Sequence, residues 1–378
     1  MEYDNVSGFL VLLVIGSVLF YMLAIHVVKT VLPYIAENVG AAGVFIARIL
    51  YVGFLAFTML SPVAGYISDR IGYRRTIVVA AISESLLIYF YVLVRSYTEL
   101  LVVSVILSAS FLHLASKYAE RTGVYIGILR AAQVFGMALG PLLVFVLPTC
   151  TLGEFLEIAA LLCLAPLSVI LLEEPKTLRQ EYGNIKLKVI KFVMRKELIP
   201  LYLCTISEIF AASIVFSYIV VNAIELFNLS QRAYGFILFV VLSTFGISNI
   251  FASKIADSHP IESAIIGVYM IAVSTYLITI SKTLETFLIS IIIFEITSAL
   301  AYNPLYVQAS KILPDEIKGI GINSVDAIIN LTFVTLPILE IVAKNYGLNA
   351  TLIPATLLSL LAGTYVTIKY STRKTKEK

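Results

Sequence analysis

The sequence is poor in charge and contains no tryptophan. Only 13% of its 378 residues are charged, whereas 60% are hydrophobic. Because a soluble domain carries about a quarter of its residues as charged side chains, this composition excludes an ordinary water-soluble protein. In the absence of tryptophan, the 22 tyrosines must supply the aromatic residues that membrane proteins place at the lipid–water interfaces.

Cysteine is scarce as well. Cys150, Cys163 and Cys204 lie in or beside apolar runs, at no spacing typical of a metal site or a disulfide framework. We therefore expect no metal and no cofactor. The chain begins with the acidic stretch Met1 to Asp4, whereas a cleavable signal peptide begins with basic residues. The first apolar run is therefore expected to remain as a membrane helix.

Motifs of nucleotide-driven and hydrolytic proteins are missing too. The sequence contains no P-loop, no GxSxG and no HExxH. It also lacks a long polar segment that could fold as a soluble domain. We predict neither an enzyme nor an ATP-driven pump, and no nucleic-acid partner.

Long apolar runs dominate what is present. A helix crosses the hydrocarbon core in about 20 residues, and about twelve runs of that length occur between polar breaks. The predicted spans are 8–28, 43–65, 76–95, 98–116, 123–147, 154–172, 198–221, 232–253, 261–281, 285–309, 319–342 and 348–369. The sequence thus predicts an all-α membrane protein with twelve transmembrane helices in two pseudo-symmetric six-helix bundles.

One long polar segment divides these spans six plus six. We predict an N-terminal bundle over 1–172, a cytoplasmic linker over 173–197, and a C-terminal bundle over 198–378 with a basic tail. The linker is interpreted as a charged tether, although its alternating lysines and apolar residues also suit a helix lying on the membrane surface.

The two halves show a faint internal repeat. Ala115-Ser116-Lys117 recurs as Ala309-Ser310-Lys311, Pro141 falls opposite Pro337, and Arg130 falls opposite Asp326. Paired halves of this kind are typical of transporters that hold a site near the bilayer midplane.

The distribution of positive charge predicts orientation. If the N-terminus is cytoplasmic, about 20 of the 27 Lys and Arg residues face the cytoplasm. The basic residues assigned to the opposite side are Lys29, Arg95, Arg232, Lys282 and Lys344. By the positive-inside rule we expect a multi-pass protein of the cell membrane with both termini cytoplasmic.

The stretch GYISDRIGYRR, residues 65–75, concentrates charge between the second and third spans. Glycines permit close helix contact and a tight turn. The acid can accept hydrogen bonds from a helix N-terminus, and the arginines can bind lipid phosphates. The residues of this motif are Gly65, Asp69, Arg70, Gly72, Arg74 and Arg75.

This motif, in this loop, resembles the signature of the major facilitator superfamily. The resemblance implies that it forms a gate that closes the cytoplasmic side against the eleventh helix, which begins near Lys318. The alternative is that its arginines only enforce topology. A weaker copy, Ser253 to Ser258, lacks both glycines and the arginine pair.

The fifth span contains a second motif, Gly136-x-x-x-Gly140-Pro141. Small residues four apart form a groove for a neighbouring helix, and the proline is expected to kink the span. The motif is similar to one enriched among exporters of the superfamily, although Leu142 and its neighbours replace the glycines that often follow there.

Charged residues inside the predicted spans are candidates for function, because each is costly in hydrocarbon. Glu208 and Glu295 lie near mid-span in the seventh and tenth helices, which line the central cavity in the family, and could carry protons or bind substrate. The further candidates are Arg130, Asp326, Gln133, Asn330 and His113. For each, the alternative is a structural polar network or, for His113, a helix cap. His26 and Arg48 are interpreted as interfacial anchors, and Glu84 as structural.

We therefore predict a secondary transporter that exports a small organic solute by alternating access, in exchange for protons. The predicted partners are a small-molecule substrate, protons and the lipid bilayer, and the chain is expected to be a monomer. The alternatives are a proton-coupled uptake symporter or facilitator, a non-transporting receptor or scaffold on the same fold, and a membrane-embedded enzyme, for which no nucleophile–base pair is recognisable.

Overall fold

The computed structural model describes residues 8–41, 45–46, 48–50, 52–53, 56, 72–108, 126–171, 190–216, 221–313 and 318–376. Regular structure within these ranges is helical. Helices are what apolar segments need in hydrocarbon, because a helix satisfies its backbone N–H and C=O groups internally.

Five helices precede the predicted linker in the described ranges. They are α1 (Gly8–Asn38), α2 (Tyr73–Phe90), α3 (Tyr97–Ser108), α4 (Ile126–Val146) and α5 (Leu152–Leu162). Short 3-10 helices follow α2 and α5, at Tyr91–Leu93 and Ala165–Leu171. The described residues between 45 and 56, in the second predicted span, are helical too.

Eight helices follow the linker in the described ranges. They are α6 (Ile199–Ile214), α7 (Val221–Phe227), α8 (Gln231–Ser258), α9 (Pro260–Ile280), α10 (Leu284–Ile312), α11 (Lys318–Asn330), α12 (Leu336–Tyr346) and α13 (Leu352–Lys376). A 3-10 turn at Leu331–Thr335 connects α11 to α12, so the eleventh predicted span is an interrupted helix. Pro337 explains the interruption, because proline has no N–H to continue the helical ladder.

Many of these segments are membrane-spanning by length and composition. In the described part of the chain seven are long and apolar enough to cross a bilayer. The shorter apolar helices are Tyr97–Leu107, Ala132–Val146 and Ile199–Ile214. The structure is therefore that of a multi-pass membrane protein.

The predicted end of the first span, near residue 28, is wrong. Helix α1 continues to Asn38 and includes Lys29 and Pro33. Lys29, which charge counting placed on the outer side, lies inside the candidate span Leu12–Asn38. A lysine interrupts an apolar run in the sequence, but the long methylene stem of lysine is compatible with apolar surroundings, and proline is tolerated in membrane helices.

The chain divides into two compact units. Unit 1 contains Met1–Arg179 and Asn228–Ser243, and unit 2 contains Gln180–Phe227 and Thr244–Lys378. Helix α8 is shared, since its first half belongs to unit 1 and its second half to unit 2.

In unit 1, α4 packs closely along α1 through the predicted glycine motif. A Cβ added at Gly140 would lie 2.8 Å from Leu23 O, Val27 N and His26 Cβ. Gly136 meets the preceding turn of α1, at Leu19 and Met22. The two helices run parallel, since later residues of α4 meet later residues of α1. Only glycine permits this backbone contact.

The first turns of α8 also pack within unit 1, against the end of α4. A Cβ added at Gly235 would lie 2.8 Å from Pro141 O, and the Arg232 guanidinium lies 5.0 Å from the Phe145 ring centroid. The rings of Tyr34 and Tyr234 meet edge to face at 6.3 Å.

In unit 2, α9 and α10 make the corresponding close contact. A Cβ added at Gly267 would lie 2.9 Å from Ala301 Cα. Pro304 of α10 lacks the N–H that would bind the Leu300 carbonyl. Ser263 of α9 supplies the missing donor, because its hydroxyl donates to Leu300 O at 3.0 Å.

Candidate functional site

One face of α10 carries a row of polar side chains. Glu295, Ser298, Tyr302 and Tyr306 follow one another at spacings of three and four residues, which places them on the same side of a helix. At a rise of 1.5 Å per residue the row is about 16 Å long. This polar row lies in unit 2 and is the frame of the candidate site.

The N-terminal part of the row brings together the two glutamates predicted from the sequence. Ser298 donates a hydrogen bond to Glu208 Oε1 on α6, and Glu295 lies one turn before Ser298 on α10. Glu208 is 3% exposed and Glu295 is 1% exposed. The two carboxyl groups lie close enough to interact electrostatically.

Both glutamates keep free hydrogen-bonding capacity. Among the residues that the structure describes, Glu208 Oε2 and Glu295 Oε1 have no hydrogen-bond partner. Helix α6 contains no lysine or arginine, and the single basic residue of α10, Lys311, contacts Asp257 Oδ1 at 2.6 Å. An ionised carboxylate buried without a cation costs several kcal/mol. A bound proton removes that cost, so the pair is suited to binding protons.

The C-terminal part of the row, Tyr302 and Tyr306, leads to Asp326 on the neighbouring helix α11. Tyr302 donates to the Tyr306 hydroxyl at 2.8 Å, and Tyr306 donates to Asp326 Oδ1. The two rings pack with centroids 4.6 Å apart. Tyr306 is buried, whereas Tyr302 and Asp326 are half-buried. Two phenols and a carboxylate thus form a short hydrogen-bonded chain.

Two asparagines beside the polar row were not predicted from the sequence. Asn303 Nδ2 donates to Asn249 Oδ1 on α8 at 2.8 Å and to Ala299 O at 3.0 Å. Asn249 in turn donates to Phe245 O at 2.8 Å. Uncharged amides leave an apolar run almost unchanged, and no sequence signal distinguishes them from ordinary polar residues.

The other predicted site residues are only partly described. Asn330 lies at the end of α11, one turn beyond Asp326, and is half-buried. Gln133 is half-buried on α4. Arg130 is placed on α4 by its backbone, and its side chain is outside the described part, as is His113. The structure thus places Glu208 and Glu295 within electrostatic reach of one another but leaves the predicted Arg130–Asp326 correspondence as a prediction.

The gate motif is described only at its end. Gly65, Asp69 and Arg70 lie outside the described residues. Gly72 has φ 96° immediately before α2, which agrees with the predicted tight turn, because glycine adopts positive φ without strain. Arg74 is half-buried and Arg75 is exposed on the first turn of α2.

Helix α1 places two further titratable side chains in a candidate span. His26 is buried, and its Nδ1 donates to Met22 O at 3.0 Å. Thr30 donates to His26 O at 2.6 Å. Lys29 lies between them on the helix and is half-buried. The interpretation of His26 as an interfacial anchor is therefore wrong, because α1 extends well beyond it.

Glu84 and Cys163 form a separate buried contact between α2 and the end of α5. The Cys163 thiol donates to Glu84 Oε2 at 3.9 Å, and Ser85 donates to Ala160 O at 2.8 Å. Within the described residues no group of three metal-ligating side chains occurs.

Comparisons with known proteins agree with this architecture. Residues 201–378 match the family model of the Major Facilitator Superfamily. A sequence relative, an uncharacterized MFS-type transporter of Methanocaldococcus jannaschii, is 22% identical over 315 residues, which cover 79% of this chain and 81% of the relative.

Solved structures of transporters share the fold over nearly the whole chain. A D-xylose–proton symporter superimposes with a TM-score of 0.74 at 14% identity, over 94% of this chain and 96% of that one. A bacterial homolog of the human lysosomal transporter Spinster gives a TM-score of 0.74 at 12% identity, over 97% of both chains. The predicted fold class and the resemblance found in the sequence are confirmed.

Proposed function

We propose that this chain is a transporter of the major facilitator superfamily that exports a small organic solute in exchange for protons. The fold shared with solved transporters and the match of residues 201–378 to the family model support this proposal. The protein resides in the cell membrane as a monomer, with two six-helix halves joined by the linker and with both termini in the cytoplasm. The charge asymmetry of the loops supports this orientation.

The observation that carries the proposal is the buried pair of Glu208 and Glu295. Each has a carboxyl oxygen without a hydrogen-bond partner among the described residues, and Ser298 orients Glu208 from α10. Two carboxyl groups within electrostatic reach cannot both ionise cheaply in a medium of low dielectric constant. Their charge state therefore responds to protons and to any charged or polar solute that approaches them.

Exchange follows if proton and solute exclude one another at this pair. The ionised pair accepts a solute, and protonation removes the charge that held it. When the solute leaves, the proton is carried back in the opposite direction. Energy comes from the proton gradient, because the sequence contains no nucleotide-binding motif.

Proton-coupled uptake is the second candidate function. The same pair serves a symporter if protonation favours solute binding instead of opposing it, and one neighbour in fold is named as a proton symporter. The direction of proton movement relative to solute movement distinguishes export by exchange from uptake by symport.

The test is solute-dependent proton flux in proteoliposomes, followed with a trapped pH dye during a screen of cationic, anionic and neutral solutes. We expect an active solute to move protons in the opposite direction. The double variant Glu208→Gln and Glu295→Gln should lose this flux, and Glu285→Gln, an exposed acid on the same helix, should retain it.

The outcomes separate the alternatives. Proton movement in the same direction as the solute establishes symport. Solute flux that ignores the gradient and survives the double variant contradicts proton coupling. The absence of any solute flux favours a receptor or scaffold.

A further inference from the structure

The buried position of the two glutamates means that a proton needs a route to them. Glu208 is 3% exposed and Glu295 is 1% exposed, so neither carboxyl is in direct contact with bulk water. Inside a protein a proton moves along groups that both accept and donate hydrogen bonds, because each such group passes on one proton as it takes up another. The C-terminal part of the polar row supplies groups of this kind.

Tyr302, Tyr306 and Asp326 form a hydrogen-bonded chain with a single direction. Tyr302 donates to the Tyr306 hydroxyl at 2.8 Å, and Tyr306 donates to Asp326 Oδ1 on α11. The Tyr306 hydroxyl therefore accepts one hydrogen bond and donates another, which is the arrangement that allows a hydroxyl to relay a proton. The chain leads away from the glutamates and ends on a carboxyl oxygen that can take up the proton.

Both ends of this chain are less buried than its middle. Tyr302 and Asp326 are half-buried, whereas Tyr306 is buried. At the inner end, Ser298 donates to Glu208 and lies one helical turn before Tyr302. Side chains four residues apart on a helix are neighbours, about 5–6 Å apart at Cβ, and one bridging water can close a gap of this size.

The neighbouring helices α6 and α11 contribute titratable side chains to the same side of α10. Glu208 of α6 interacts electrostatically with Glu295, and Tyr202 of α6 interacts electrostatically with Asp326 of α11. Helix α9, which also packs against α10, contributes the uncharged hydroxyl of Ser263. The groups that can carry a proton therefore lie on the side of α10 that faces α6 and α11.

We propose that Tyr302, Tyr306 and Asp326 relay protons between the glutamate pair and the cytoplasmic side. A proton that leaves the pair binds the Tyr302 oxygen as this hydroxyl passes its own proton to Tyr306, and Tyr306 passes its proton to Asp326 Oδ1. One proton has then moved from a glutamate to Asp326, no electron is transferred, and rotation of the two hydroxyls resets the chain. The relay rests on the proposed function and deepens it, because it assigns the path of the exchanged protons.

The direction of the chain agrees with export in exchange for protons. The relay leads toward the C-terminal end of α10 and the N-terminal half of α11, which are on the cytoplasmic side in the proposed topology. During such an exchange, protons enter from outside and are released to the cytoplasm. The hydroxyl groups donate in the same sense, from the side of the glutamates to Asp326.

The relay is tested by the rate of protonation, a measurement that needs no transported solute. The purified full chain in lipid nanodiscs receives a rapid acid jump by photolysis of 2-nitrobenzaldehyde. Time-resolved infrared spectroscopy follows the C=O band of protonated carboxyl groups, and the part of the band that the double variant Glu208→Gln and Glu295→Gln loses belongs to the pair. An equilibrium pH titration of the same band gives its midpoint.

Removal of one hydroxyl should slow protonation without changing its equilibrium. We expect Tyr302→Phe and Tyr306→Phe each to lower the rate about tenfold or more, because a phenyl ring cannot pass on a proton. The midpoint should stay the same, because a path changes the rate and not the end states. The matched control Tyr276→Phe alters an exposed tyrosine of α9 and should keep the parent rate.

The outcomes that overturn the relay are distinct from those that overturn proton exchange. Parent rates in both relay variants, equal slowing in Tyr276→Phe, or a shifted midpoint at an unchanged rate would contradict the relay alone. If Tyr306→Phe does not fold, Tyr302→Phe at the half-buried end decides. If the parent chain shows no carboxyl band that depends on the two glutamates, the proposed proton exchange fails, and the relay fails with it.

Discussion

The Ser298 hydroxyl of α10 donates a hydrogen bond to the Glu208 carboxylate of α6, and both residues are buried. This contact joins two helices that are separated by 69 residues of sequence. It also holds one of the two glutamates in place while leaving its second oxygen without a partner among the described residues. A fixed position and an available oxygen are the two properties that a proton-exchanging carboxyl needs.

Replacement of Ser298 by alanine tests this contact. We expect Ser298→Ala to lower the free energy of unfolding by about 1–3 kcal/mol, because it leaves a further buried carboxyl oxygen unsatisfied. Ser298→Thr, which retains the hydroxyl, should cost less. The measurement is thermal or denaturant unfolding in detergent, together with solute-dependent proton flux. Equal stability of the alanine and parent chains would show that the bond contributes nothing.

Two glycine-to-alanine substitutions should change the free energy of unfolding in opposite directions. Gly140→Ala places a methyl group 2.8 Å from Leu23 O and Val27 N of α1, backbone atoms that cannot move aside, and overpacking of this kind costs about 1–3 kcal/mol. Gly16→Ala meets nothing within 4 Å and should stabilise α1 by up to about 1 kcal/mol through helix propensity. Thermal unfolding of the two variants and the parent chain measures both effects. Destabilisation of both variants to the same extent would contradict the packing argument.

The contact of Ser263 with the Leu300 carbonyl predicts a coupling with Pro304. Ser263→Ala should destabilise the chain by about 1–3 kcal/mol, because it leaves the carbonyl that proline exposes without a donor. In a Pro304→Ala background the helix supplies its own N–H, so the same serine substitution should cost less. A double-mutant cycle of unfolding free energies measures the difference. Additive effects would mean that the serine does not compensate for the proline.

Native cysteines provide a test of orientation. Cys150, between α4 and α5, is partly exposed, whereas Cys163 and Cys204 are buried. With a cytoplasmic N-terminus the fifth span ends outside, so a membrane-impermeant maleimide should label intact cells at Cys150. Cys150→Ser should abolish the labelling. Labelling that requires permeabilised cells would place this turn in the cytoplasm and reverse the proposed topology.

Strong hydropathy signals made much of the architecture predictable. Apolar runs broken by charge located most helices to within a few residues, as for α4 and α9, because the cost of charge in hydrocarbon marks the ends of spans. The same rule failed at Lys29, where a long stem and a tolerated proline allow α1 to continue. Glu208 and Glu295 were identified for the reason that makes them costly, since an ionisable group in an apolar run stands out without any structure.

Uncharged polar residues had no comparable signal. Asn249, Asn303, Tyr302 and Tyr306 are indistinguishable in the sequence from residues that cap, pack or face lipid. Their partners lie on other helices, and helix periodicity predicts which residues share a face but not which face meets which neighbour.

By itself, the sequence determined that this protein spans the membrane many times and that two acids are buried within its second half, whereas the repeat of its halves stays a prediction. Only the tertiary structure decided that Ser298 joins Glu208 to the helix of Glu295, and that Tyr302 and Tyr306 lead by hydrogen bonds to Asp326. The physical reason is that hydropathy is a property of each segment alone, whereas a hydrogen bond between helices depends on packing that brings distant residues within 3 Å or so of one another.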